Sequence, residues 1–128
     1  MTAPALPPSL FEVVEQGSGQ CTAVIVGNDG VTPISSAVLL TLTLSLYVIK
    51  QDGTDQIVNS RNVQNVLNAN NVTVDTAGNL TWTYQAADTT LVEEIPFERH
   101  IAIFAWTWPA GAGRKEILLN VRNLHRIA

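Results

Sequence analysis

Charge is scarce in this chain. Asp, Glu, Lys and Arg make up 14% of its 128 residues, against a usual share of about 25%. So few charges cannot solvate a whole surface, which implies that partners hide part of it. Cysteine is almost missing. Cys21 stands alone, so an intrachain disulfide is excluded. Its neighbours Gln20, Thr22, Ala23 and Val24 read as strand, and the expectation is a buried structural thiol rather than a nucleophile. Long apolar runs are absent too: none approaches the ~18 residues of a membrane helix. No basic segment precedes an apolar core at the N-terminus, so no signal peptide is read and synthesis in a cytoplasm is expected.

What is present is apolar and β-forming. Hydrophobic residues reach 46% and the net charge is −4. An acidic balance argues against general nucleic-acid binding. The charge is uneven. Residues 1–96 carry two basic and nine acidic side chains, a net of −7, whereas residues 97–128 carry five and two, a net of +3. A chain polarised in this way suits docking onto copies of itself, although charges on solvated strand faces give the same count.

The strongest pattern is a pair of apolar runs, residues 99–109 and 115–124. Residues 110–114 (Ala-Gly-Ala-Gly-Arg) lie between them. Two strand-like runs joined by about five Gly-bearing residues predict a hairpin with a longer loop. In the first run Ile101, Ile103 and Ala105 point one way and Phe104, Trp106 and Trp108 the other. Both faces are apolar, so the strand is expected to be covered on both sides, once by the core and once by a neighbour.

The rest of the chain repeats the strand signal. Residues 10–15, 20–27, 56–59, 72–75 and 80–84 are short β-forming runs bounded by Gly, Asn and Asp. Residues 41–48 alternate strictly, leucines and Val48 on one face and hydroxyls on the other, as a half-buried strand does. Residues 62–68 break the rhythm. Val63, Val66 and Leu67 fall at i, i+3 and i+4 among repeated asparagines, which predicts a short helical connector. Asp88 is expected to N-cap a helical turn at residues 86–90. Pro4, Pro7 and Pro8 keep residues 1–9 extended, an N-terminal arm ahead of one domain over 10–128. Seven or eight strands with little helix predict an all-β sandwich or barrel.

No catalytic constellation is legible. His100 and His125 have no ligand partners at metal spacing, and Glu93 and Glu94 would point to opposite faces of a strand. Residues 111–115 contain Gly and Lys but lack the phosphate-loop spacing and a following helix. The sequons at Asn71 and Asn79 have no secretory context. Neither cofactor nor metal is expected. Trp82, Trp106 and Trp108 read as core or interface anchors, with a sugar-stacking face as the other use.

Residues 72–88 (Val-Thr-Val-Asp-Thr-Ala-Gly-Asn-Leu-Thr-Trp-Thr-Tyr-Gln-Ala-Ala-Asp), with the ending Phe-Ala-Trp-Thr-Trp through Leu-Leu-Asn-Val-Arg-Asn-Leu, resemble small immunoglobulin-like virion proteins of tailed bacteriophages. The shared pattern is a strand, an Asp-x-x-Gly turn, a Trp-bearing strand, Asp-Thr, then a C-terminal aromatic hairpin, across roughly residues 12–124. The Asn-rich segment and the Pro-rich arm fall outside it. The resemblance implies an immunoglobulin-like antiparallel sandwich and a non-enzymatic structural role. The leading expectation is a capsid decoration (cement) protein on the capsid exterior, binding the major capsid protein and copies of itself, with neither nucleic acid nor membrane as partner. A neck, tail or baseplate subunit is the alternative, and a carbohydrate-binding module the second. The contact residues expected are Pro4, Pro7, Pro8, Trp106, Trp108 and Arg114.

Overall fold

The computed structural model describes residues 9–93 and 95–123. Nine strands follow one another: β1 (Ser9–Val14), β2 (Gly19–Val24), β3 (Thr41–Ile49), β4 (Asp55–Ile57), β5 (Gln64–Asn65), β6 (Val72–Val74), β7 (Asn79–Tyr84), β8 (Phe97–Trp108) and β9 (Gly111–Arg122). They form two sheets, an all-β sandwich of the immunoglobulin-like kind expected. The larger has the order β1-β9-β8-β3-β4, with β5 also paired to β3; the smaller has the order β2-β7-β6. Pairing is antiparallel except at one edge, where β1 runs parallel to β9 from Ser9↔Ile117 to Val14↔Arg122. The larger sheet is therefore mixed.

Alternation builds the core. Leu42, Leu44, Leu46 and Val48 of β3 are buried, as are Ala102, Phe104, Trp106 and Trp108 of β8 and Ile117, Leu119 and Val121 of β9. The smaller sheet answers with Cys21, Val72, Val74, Leu80 and Trp82. Trp82 meets Phe104 edge to face, centroids 5.6 Å apart, the geometry aromatic quadrupoles prefer.

The β8–β9 hairpin is tighter than the expected loop over residues 110–114. Only Pro109 and Ala110 connect the strands, and pairing runs to Trp108↔Gly111. The glycines belong to β9 itself. Gly113 lies opposite Trp106, and a Cβ there would come within 2.8 Å of the indole Nε1. The glycines read as loop residues are the floor on which the indoles lie.

The helical connector over residues 62–68 does not form. The chain bends, pairs briefly with β3 as Thr43↔Asn65 and Leu44↔Gln64, and turns through left-handed backbone at Asn59, Ser60, Val63, Asn68, Asn70 and Asn71. Asparagine tolerates that region because its amide bonds locally. Asn68 accepts the Val74 amide and Asn70 donates to the Asn65 carbonyl. The i, i+3, i+4 spacing was thus a coincidence of a turn-rich crossing. Residues 86–89 do form a 3-10 turn, but Gln85 precedes it as N-cap. Asp88 is its third residue and reaches back to accept the Gln85 amide at 2.8 Å. The arm expected over residues 1–9, with Pro4, Pro7 and Pro8, lies outside the described residues except for Ser9, which opens β1.

Candidate functional site

Two arrangements of chemistry-bearing side chains stand out: one buried, one on a surface. The buried one lies where residues 59–64, the 3-10 turn and the start of β8 meet. Arg61 is 2% exposed and Asp88 fully buried. Asp88 Oδ1 accepts from Arg61 Nε at 2.6 Å and Asn59 Nδ2 at 2.9 Å. Its Oδ2 accepts from Arg61 Nη2 at 3.2 Å and from the Gln85 amide. Arg61 Nη1 donates to Gln64 Oε1 and to the Asn70 carbonyl, and the guanidinium lies 6.0 Å from the Trp82 ring centroid. Nearby, buried His100 places Nδ1 2.9 Å from the Asp88 carbonyl and Nε2 2.6 Å from Glu98 Oε1. Each ring nitrogen therefore has an oxygen partner, which fixes the orientation of the ring. Glu98 also accepts the Val92 and Glu93 amides.

The charged and ionisable members, Arg61, Asp88, Glu98 and His100, are all buried and all bonded to protein groups. Such a network fixes the path of the chain. Glu93 likewise has structural work, accepting the Gln51 amide at 2.8 Å. Cys21 is fully buried, and burial pushes its thiol up to about 12, which leaves it unreactive at neutral pH. Residues 111–115 are strand. Among the described residues no three His, Cys, Asp or Glu side chains are grouped to hold a metal ion. Glu94 and His125 lie outside the described residues.

The surface arrangement is the outer face of the larger sheet. Its register aligns one residue from each of five strands: Leu10 beside Leu118, Leu118 beside Ile101, Ile101 beside Tyr47, and Tyr47 beside Ile57. The result is an apolar band that crosses the whole sheet at right angles to the strands. Ile103 and Ile49 flank it on the same face, and Phe97 and Val14 lie towards one end. Leu10 is 55% exposed, Ile49 55% and Phe97 52%. The charged residues on the face are Arg99, Arg114 and Arg122 against Glu12, Asp55 and Glu116, a balanced set on an acidic chain. Burial raises the Tyr47 hydroxyl above the ordinary tyrosine range, with the charges of Glu116 and Asp55 adding to it.

Beside the band, Val63 is 65% exposed with φ at +49°, a conformation that costs a β-branched residue energy. Its amide donates to the Ser45 hydroxyl at 3.0 Å, so residues 62–64 are tied to this same face.

Trp106 and Trp108, expected as contact residues, are buried instead. Trp106 is 1% exposed and Trp108 8%; both point into the sandwich, where Trp106 Nε1 donates to the Val26 carbonyl. Trp82 is also buried, so the tryptophans offer no sugar-stacking platform. Along this half of β8 the bulky Phe104, Trp106 and Trp108 fill the space between the two sheets, while Ile101, Ile103 and Ala105 face outward. Arg114 is exposed on the outer face, opposite Ala105. The band itself was not legible, because its members come from five separated segments and only register brings them into line. Arg61 gave no signal either, sitting just ahead of the segment read as a short helical connector.

Set against known proteins, the chain matches no protein-family model, and no curated protein is similar to it.

Proposed function

We propose that the chain is a non-enzymatic virion structural protein of the tailed-phage type, a capsid decoration (cement) protein on the capsid exterior that binds the major capsid protein and copies of itself. The observation that carries this reading is the outer face of the larger sheet. The inner face is already filled by the core, yet the outer face presents an unbroken apolar band across five strands. Contiguous apolar surface of this kind marks interaction sites. The low charge content and the net −4 agree with a protein that works in contact with neighbours and away from packaged nucleic acid. The balanced charges of the band's surroundings suit a protein partner.

The test is co-sedimentation of the purified chain with assembled capsids of the phage that encodes it, followed by electron cryo-microscopy of the bound particles. Density on the capsid surface is the expected result. Density confined to the neck, tail or baseplate replaces the decoration role with the alternative subunit role. Failure to bind any virion part removes the reading.

A further inference from the structure

We infer that the outer face of the larger sheet is a homotypic interface, occupied by the same face of a second copy of this chain in a two-fold dimer. The inference rests on reading the chain as an assembly subunit, but not on which assembly it joins. Three features of the face select its own copy as the occupant.

The first is size. The five strands hold 42 residues, and at about 3.4 Å per residue and about 4.8 Å between strands they give a footprint of about 700 Å². That is close to the ~800 Å² per partner of a standard stable interface. The second is charge. With Arg99, Arg114 and Arg122 balanced by Glu12, Asp55 and Glu116, the face repels neither sign, and a strongly basic or acidic partner gains nothing from it.

The third is the pattern of those charges. Arg99 sits one row to one side of the Leu118–Ile101–Tyr47 band, and Glu116, opposite Ile103, one row to the other side. A two-fold axis running along the band lays it against itself and turns each copy's Arg99 row onto the partner's Ile103–Glu116 row. The sideways offset from Arg99 to Glu116 is one strand, about 5 Å, within the reach of an arginine side chain. Two symmetric ion pairs then flank an apolar centre, the layout of a self-complementary interface. Arg114 and Arg122 meet at the outer rim, where water screens them. A dyad along the strands instead stacks Arg99 on Arg99, so the first arrangement is the one favoured. Val63, tied over the same face by Ser45, extends the apolar surface at the β4 side.

The experiment is sedimentation equilibrium of the purified full chain and of three variants, Arg99→Glu, Glu116→Arg and the double variant R99E/E116R. Thermal unfolding is followed for each as a control of folding. The wild type is expected to dimerise reversibly. Each single variant is expected to weaken the dimer by about tenfold or more, and the double variant to recover most of that loss, because reversing both partners restores the pair. Leu10→Ser, at an exposed position, is expected to weaken the dimer while leaving the unfolding midpoint unchanged at concentrations where both proteins are monomeric. A wild type that stays monomeric to about 1 mM, a Kd range too weak for a specific interface, overturns the inference, as does a double variant no better than the singles. A monomer that still binds capsids refutes the homotypic face and leaves the virion reading standing. A dimer that binds no virion part does the reverse.

Discussion

Gly113 shows how tightly single positions are set. Its missing side chain is where the Trp106 indole lies, with ring atoms 2.8–3.0 Å from a would-be Cβ. Gly113→Ala should destabilise the fold by about 1–3 kcal/mol, the usual cost of overpacking a filled site, measured as a shift in the urea midpoint. Val63 is the opposite case. Its left-handed backbone costs an L-residue about 1–2 kcal/mol, so Val63→Gly should raise stability by about 1 kcal/mol in the same assay. Cys21 reports on both. With its thiol buried and held up at about 12, it should resist alkylation at pH 8 in the native protein and react once urea unfolds it. Alkylation rates in the two states check this directly.

At the scale of elements, the ion pair of Arg61 and Asp88 joins the crossing segment to the 3-10 turn. Truncating Asp88 to Ala leaves a buried guanidinium without its carboxylate. The expected cost is about 3–5 kcal/mol, a large share of the ~5–15 kcal/mol a domain has, read from chemical denaturation. The strands themselves were legible because alternation is a local property: residues 41–48, 72–75 and 80–84 announce their buried faces one residue at a time. The crossing segment was not, because three apolar residues at helical spacing outweighed a run of asparagines that in fact serve left-handed turns. The pair Glu98 and His100 had a usable signal, being two residues apart and hence on one face of a strand. What the sequence could not show was Asp88 supplying its carbonyl from another element. The outer band failed for a similar reason: each member is an ordinary apolar residue, and only the register makes them a surface.

For the whole molecule, acid is the condition that should loosen the fold from its turns. Asp29 is lowered to about 2, chiefly by the Thr32 hydroxyl and then by the Thr32 and Val31 amides. Asp52 is lowered mainly by the Thr54 hydroxyl, and Asp75 mainly by the Asn79 amide. Each carboxylate is more acidic folded than unfolded. Their contribution is therefore complete above the ordinary value of 3.8 and fades as pH falls towards 2. Unfolding midpoints recorded across pH 7 to 2 should be flat at first and then fall below about pH 4. Asp75→Ala should reduce the size of that fall.

The parallel pairing of β1 with β9 also carries a consequence in time. On the ribosome β1 emerges well before its strand partner among the described residues, residues 117–122, which is made more than 100 residues later. At synthesis rates of about 5–20 residues per second, that is a wait of roughly 5–20 seconds. During it, β1 lacks the edge with which it pairs in the finished fold. On a polysome, the first completed β9 edge that a waiting β1 meets can belong to a neighbouring copy. The order of translation thus favours exchange of this strand between copies, and dilution of nascent chains should favour the closed form.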